Sequence, residues 1–305
     1  MFSFKNKEKL VHIMLFVVAM MSIGSASILV KLSSASGVAC AFWRLFISSV
    51  LILIAMLVNR GGMPRLTNFL DNKVFFMLTI SGFALALHFI LWMESLFKIL
   101  VAVSTTIVVT YPLHLALIEL VFGKERASVV SVVGLLIGFL GIILLFWDTF
   151  IGKELDFLGI LESFTASIFA AIYFYIGRIA RKGIDVYTYS FYVYTIAFLV
   201  VLSYSLAIKE NIFKYIEKSW VWFLLLALIP MLGGHTVMNY LLKFYRSSIV
   251  TSIAFAEPII ASILAATILG EIVSLKQLIC LAMVLTGVGI SLTSELRSRG
   301  NIGRG

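Results

Sequence analysis

The chain consists of long apolar runs separated by short polar segments. Because a helical crossing of a bilayer core of roughly 30 Å needs about 20 apolar residues, each run is long enough to form one membrane-spanning helix. The pattern predicts ten spans, at residues 10–31, 38–58, 74–97, 100–121, 128–147, 157–178, 187–208, 219–242, 249–269 and 274–293. The expected fold class is therefore an all-α membrane protein with ten transmembrane helices.

One arrangement of residues occurs twice in the chain. A proline, a glutamate and a serine recur 146 residues apart, in the pairs Pro112/Pro258, Glu125/Glu271 and Ser128/Ser274. A constant offset predicts a duplication, with one repeat in residues 1–150 and the other in residues 151–305. With five spans in each repeat, the second repeat enters the membrane from the opposite side, so the repeats are expected to be inverted in topology. Carriers built in this way hold their substrate where the two repeats meet.

Composition and charge agree with a membrane protein. Apolar residues make up 61% of the chain and charged residues 13%, and the mean hydropathy is +1.08. The net charge of +9 lies mainly in the short segments between spans, where basic residues determine topology, so nucleic-acid binding is not expected. With the N-terminus inside, sixteen Lys and Arg residues fall on the cytoplasmic side and seven on the other. We therefore expect a multi-pass protein of the cell membrane with both termini in the cytoplasm.

The duplicated segments resemble the two signature regions of the EamA group of the drug/metabolite transporter superfamily. The resemblance rests on Tyr111-Pro112 followed by Gly123-Lys124-Glu125, and on Glu257-Pro258 followed by Gly270-Glu271. It implies ten helices around a central cavity and transport by alternating access. It also implies a cargo of small metabolites, among which we favour amino acids or related zwitterions, moved by export or facilitated exchange. The alternative is an exchanger of nucleotide sugars or other metabolites, because some members of the superfamily carry nucleotide sugars.

Two prolines mark the region where such a cavity is expected. Pro112 and Pro258 lie inside predicted spans, where a missing N–H and a ring clash interrupt the helix and leave a carbonyl unpaired. Matching interruptions in two repeats are typical of the binding region of a transporter. A kink that serves only helix packing is the alternative.

Glu257 is the deepest acid of the predicted spans and directly precedes Pro258. An ionised side chain near the bilayer centre costs on the order of 3 kcal/mol. Glu257 must therefore face a partner or water, which favours a functional or structural role for this side chain. We predict that Glu257 carries a proton or binds a substrate amino group. A buried acceptor that joins helix ends is an equally compatible interpretation.

Three histidines in spans, with polar or aromatic neighbours, are predicted to form the cavity wall. The set is His88, Trp92, Tyr111, His114, His235 and Asn239. His88 and Trp92 are four residues apart, as are His235 and Asn239, so each pair shares a helix face. Histidine changes charge near physiological pH, which would allow proton coupling, whereas hydrogen-bonded packing is the alternative.

Three charged residues near the predicted outer surface are candidates for a gate. Arg44 can pair with Glu94 or Glu162 in one conformational state and separate in another, or it can bind a substrate carboxylate. A permanent ion pair that fixes helix packing is the alternative.

A different class of function is an intramembrane enzyme that uses the histidines around a metal or as acid and base. The chain contains no His-Glu-x-x-His motif and no phosphate-binding loop, so we predict no enzyme, no cofactor and no metal site. The expected partners are a small-molecule substrate, protons and the lipid bilayer. The sequence pattern does not indicate an oligomeric state.

Overall fold

The structure is a computed structural model that describes residues 4–60, 72–122, 128–145, 147, 156–260 and 275–302. Within these ranges every regular element is helical. Glu125, Glu271 and Ser274, and the predicted boundary between residues 150 and 151, lie outside the described residues.

The described residues form thirteen α-helices. They are α1 Phe4–Ile23, α2 Ala26–Leu32, α3 Gly37–Arg60, α4 Asn72–Lys98, α5 Val101–Val108, α6 Tyr111–Phe122, α7 Val129–Leu145, α8 Phe157–Ala180, α9 Val186–Ala207, α10 Ile216–Leu226, α11 Val237–Leu241, α12 Ser247–Thr251 and α13 Leu275–Ile302. Other helical segments are a 3₁₀ turn at Ile212–Tyr215, a π-helix at Ala227–Thr236, a 3₁₀ segment at Ser252–Ala256 and a helical turn at residues 257–260.

Seven of the described helical stretches are long and apolar enough to cross a membrane, and three further apolar helices are shorter. The seven are Glu8–Leu32, Gly37–Val58, Asn72–Lys98, Val103–Phe122, Phe157–Ala180, Val186–Ala207 and Ile212–Leu241. The shorter three are Val129–Leu144, Ser247–Ile260 and Ala282–Ser291. Each of these ten stretches overlaps one predicted span, but a count of ten crossings stays a prediction.

The most extensive helix contacts join segments distant in sequence. The helix α4 packs along α8, and α7 packs along α13. The second contact is close because it is built on glycines: a Cβ on Gly287 would overlap the carbonyl oxygen of Gly134 and lie 2.5 Å from the nitrogen of Gly138. In addition, α3 packs on α9, α1 on the π-helix, and α6 on α12.

Four of the helical stretches are interrupted. The backbone leaves the α-helical path at residues 24–25 between α1 and α2, at residues 109–110 between α5 and α6, in the π-helix, and in the 3₁₀ segment before Glu257. Pro112 is the second residue of α6 and Pro258 the second of the turn 257–260, positions where a missing N–H costs no helical hydrogen bond. The interruption between α5 and α6 and the one at the 3₁₀ segment therefore each fall just before a proline.

Candidate functional site

All four interruptions meet at one cavity. Its walls are formed by Ile23, Ala26, Arg44, His88, Trp92, Val108, Tyr111, His235 and Glu257. Ile23 and Ala26 flank the break between α1 and α2, and Val108 and Tyr111 flank the break between α5 and α6. His235 comes from the end of the π-helix, and Glu257 follows the 3₁₀ segment. The continuous helices α3 and α4 contribute Arg44, His88 and Trp92.

Two opposite charges face this cavity without forming an ion pair. Arg44 is 1% exposed and Glu257 is 6% exposed. Arg44 Nε and Nη1 and Glu257 Oε1 have no hydrogen-bond partner within the part of the chain that the structure describes. Buried polar atoms are nearly always hydrogen-bonded, and charges at membrane depth are costly. An unpaired acid and an unpaired base at one cavity are therefore suited to binding a ligand with both charges.

The guanidinium of Arg44 rests on an aromatic ring. Its Cζ lies 4.2 Å from the centroid of the Phe89 ring, a distance at which a cation is attracted to the ring face. This contact orients Arg44 while leaving its N–H donors available on the side of the cavity. Phe89 is fully buried, so the contact is shielded from water.

Beside the aliphatic residues Ile23, Ala26 and Val108 the wall is aromatic, and His235 contacts several rings there. The His235 ring lies 5.7 Å from that of Phe174 in a stacked arrangement and 5.2 Å from that of Phe89 edge to face. His88 stacks on Trp92 at 6.0 Å. These geometries are the favourable ones for aromatic pairs and make a stiff apolar wall beside the two charges.

One ring nitrogen of this wall is hydrogen-bonded to a described residue, and two others are not. His88 Nδ1 lies 3.0 Å from the carbonyl oxygen of Ala166, which favours the tautomer with the proton on Nδ1. His235 Nδ1 and Trp92 Nε1 are buried and have no partner among the described residues. Two further polar groups are therefore available to a ligand at this site.

The cavity itself is small, with a volume of about 20 Å³. A cavity needs roughly 10–15 Å³ by this measure to hold one water molecule, so there is room for about one. A ligand of the size of an amino acid requires the surrounding helices to move apart.

Two of the predicted wall residues lie outside the cavity lining. His114 Nδ1 lies 3.0 Å from the hydroxyl of Ser167, and its ring packs on Phe164. Asn239 Nδ2 donates to the hydroxyls of Tyr173 at 2.7 Å and Tyr194 at 3.3 Å. The fold brings the other four together, namely His88, Trp92, Tyr111 and His235, along with Glu257.

No two of the three gate candidates form an ion pair with each other in this structure. Arg44 lies in the cavity because its position on α3 turns it toward α4 and Phe89. Glu162 forms an ion pair with Lys98 that joins α8 to α4. Glu94 Oε1 accepts the backbone N–H of Val38 at 3.2 Å and so caps the first turn of α3. In this conformation neither Glu94 nor Glu162 therefore pairs with Arg44.

Sequence reasoning did not identify Ile23, Ala26, Val108 or Phe89 as parts of the site. The first three are apolar residues whose only distinction is that they flank a helix break. Phe89 directly follows His88, which is the one signal that draws attention to it. Among the residues that the structure describes, no group of three His, Cys, Asp or Glu side chains is placed to hold a metal ion.

Known proteins are similar to this chain over most of its length. The EamA-like transporter family matches it twice, over residues 10–147 and 157–293. A protein of Archaeoglobus fulgidus described as an uncharacterized transporter is 25% identical over 275 residues, covering 90% of this chain and 94% of the relative. A crystal structure of a protein 14% identical to this chain has a similar fold, with a TM-score of 0.75 over 92% of this chain and 97% of the other. The chain therefore belongs to the EamA-like transporter family and is a multi-pass membrane transporter.

Proposed function

We propose that this transporter carries amino acids or related zwitterions through the cavity that holds Arg44 and Glu257. The observation that supports the proposal is the pair of buried, opposite charges whose hydrogen-bonding atoms have no partner among the described residues. A zwitterion supplies a carboxylate for one and an ammonium for the other.

The chemistry of each contact follows from the side chains. The planar guanidinium of Arg44 can donate two parallel N–H groups to a carboxylate. Glu257 can accept from the ammonium group of the same molecule, and His235 and Trp92 offer further polar atoms at the wall. A single arginine is too little to neutralise a diphosphate, which is why zwitterions are favoured over nucleotide sugars.

We further propose alternating access as the mechanism, by movement of the two predicted inverted repeats. A cavity of about 20 Å³ holds no zwitterion, so binding requires a wider state that opens to one side at a time. Interrupted helices suit this movement because their breaks concentrate the change in backbone angles at a few residues. Glu257 is also our candidate for a proton site if transport is coupled to protons.

For location we propose the plasma membrane, with both termini in the cytoplasm. The bias of basic residues supports this orientation. A single cysteine placed at Lys182, in the turn after α8, is expected to resist a membrane-impermeant thiol reagent applied to intact cells. Labelling by the reagent from outside would contradict this orientation and favour the opposite one.

The function is tested by counterflow in proteoliposomes. The pure protein is reconstituted, loaded with unlabelled amino acids and supplied with trace labelled aromatic or aliphatic amino acid, without a proton gradient. Saturable exchange is expected. Competition should require both charges, so that the methyl ester and the 2-oxo acid of the same compound compete poorly.

Matched variants connect this result to the site. Glu257→Gln and Arg44→Gln should each weaken substrate binding by about 10- to 100-fold, because a hydrogen bond to a charged group contributes roughly 1.5–3 kcal/mol. Glu162→Gln changes an acid that pairs with Lys98 outside the cavity, and it should leave affinity unchanged. Exchange of nucleotide sugars without amino-acid exchange, or equal effects of all three variants, would contradict the proposal.

A further inference from the structure

A second concave site lies between α1 and the segment that leads to Glu257. It has a volume of about 170 Å³ and is lined by Ile13, Phe16, Val17, Met20, Tyr245, Ile249, Ile253 and Val288. We call it the α1 groove. Its lining is apolar apart from the hydroxyl of Tyr245, which lies 2.9 Å from His12 Nδ1. It therefore has little to offer a polar ligand.

The groove has a buried floor and an open rim. Ile249 and Ile253 are 1% exposed and form part of the floor. Val17 and Ile13, on the rim, are 49% and 44% exposed. Both rim residues belong to a stretch long and apolar enough to cross a membrane, Glu8–Leu32. In a membrane transporter such a rim borders on lipid acyl chains.

The two segments that form the groove walls also contribute residues to the central cavity. On α1, Met20 is followed one turn later by Ile23, which lines the cavity. On the other wall, Ile249 and Ile253 are spaced four residues apart, and Glu257 is the next residue of the same spacing. A ligand in the groove therefore lies between the same two segments that also line the cavity.

Basic residues lie beside one end of the groove. Lys9 precedes Ile13 by four residues on α1 and is exposed, and Lys243 precedes Tyr245 by two residues and is also exposed. Glu8 is the acid of the same turn, and Arg246, next to Tyr245, interacts electrostatically with the carboxylate of Glu119, so the excess positive charge rests on the two lysines. The charge at this end is net positive, which is complementary to an anionic lipid headgroup.

We propose that the α1 groove binds one acyl chain of an anionic phospholipid whose headgroup lies at Lys9 and Lys243. The apolar lining and its contact with the bilayer select the chain, and the two lysines select the charge of the headgroup. Binding here does not depend on the identity of the transported substrate. It places a lipid between α1 and the segment 245–257, next to the cavity where those segments meet.

The test uses the full chain in native mass spectrometry, with phosphatidylglycerol and phosphatidylethanolamine of identical acyl chains in equal amounts. The wild-type protein is expected to retain one phosphatidylglycerol through detergent exchange. Val17→Trp fills the groove from its exposed rim and should abolish retention. Leu199→Trp is the matched control, because Leu199 is 48% exposed on α9, away from the groove, and retention should persist.

The headgroup is tested separately. Lys9→Gln and Lys243→Gln should each lower the preference for phosphatidylglycerol by about fivefold. A basic residue near an anionic lipid surface stabilises binding by about 1 kcal/mol, which corresponds to this factor. If Val17→Trp does not fold, Ile13→Trp fills the same rim. Equal retention of both lipids, retention unchanged when the groove is filled, or loss of lipid in the Leu199→Trp control would overturn the proposal. A wild-type dimer that becomes monomeric in Val17→Trp would also overturn it, with a second copy of the chain as the occupant.

Discussion

Removing both charges from the central cavity should stabilise the protein while abolishing transport. The variant is Arg44→Met with Glu257→Met, in which flexible apolar side chains replace the guanidinium and the carboxyl. Arg44 Nε and Nη1 and Glu257 Oε1 are three buried atoms without a described partner, and each such atom costs at least about 1 kcal/mol. The lost contact with Phe89 offsets about 2 kcal/mol of this gain. The net expectation is a stabilisation of about 1 kcal/mol or more, in line with the roughly 1–4 kcal/mol found when buried charges are replaced by apolar groups.

The measurement is the free energy of unfolding in mixed micelles, followed by titration with a denaturing detergent, together with counterflow in proteoliposomes. Each single variant leaves the opposite charge alone in the cavity and should be less stable than the double variant. The control removes the partnered charges Lys98 and Glu162, and its free energy should change by less than about 1 kcal/mol. A double variant that is clearly less stable than the wild type would show that the two charges hold the fold together, and the functional argument for them would fail.

Three further results are expected. Phe89→Leu removes the ring under the guanidinium and should raise the KM for substrate by about tenfold, whereas Phe89→Tyr, which keeps the ring face, should change it little in the same counterflow assay. Gly287→Ala places a methyl group against the backbone of α7 and should destabilise the protein by about 1–3 kcal/mol in detergent unfolding, whereas Gly289→Ala, with nothing within 4 Å, should not; equal effects would disprove the close contact. His235→Ala should weaken binding because His235 lines the cavity, and His114→Ala should not, which a comparison of KM values would check.

The long helices were predictable because one physical requirement decides them. A span must hold enough apolar residues to cross the bilayer, and the apolar run at 157–178 corresponds to the helix Phe157–Ala180. The structure adds what the apolar run did not show: Asp156 accepts from the N–H of Leu158 at 2.8 Å and so caps the start of this helix. Nothing beyond local composition was needed.

Helix interruptions were predictable only where proline marks them. The break before Pro112 has a local cause, but the π-helix at Ala227–Thr236 does not follow from Pro230 alone. That segment lies against α1, and Gly233 and Gly234 allow the close approach. A Cβ on Gly233 would lie 2.7 Å from Ser22 Oγ, and a Cβ on Gly234 would lie 2.6 Å from Ile23 Cγ2. Its form therefore depends on a tertiary contact across most of the chain.

The candidate site was predictable in kind but not in arrangement. Glu257 and His235 stand out as titratable residues in apolar runs, and both line the cavity. Arg44 was assigned by its distance from the end of its span, which places it near the outer surface. Its partner was not predictable, because the ring of Phe89 competes with two glutamates and no sequence pattern decides between a ring face and a carboxylate.

Two polar contacts of unequal strength join helices of the two predicted repeats, α4 with α8 and α6 with α12. The Lys98–Glu162 ion pair joins α4 to α8, with side chains 28% and 13% exposed, so it contributes at most about 1 kcal/mol. The contact between α6 and α12 is more deeply buried: Glu119 is 4% exposed, and its carboxylate accepts the hydroxyl of Ser247 and the N–H of Ser248. Hydrogen bonds to a buried charge contribute roughly 1.5–3 kcal/mol each. Separating α4 from α8 therefore costs less at this contact than separating α6 from α12, and under the alternating access proposed above we expect the contact at Lys98 to separate more readily.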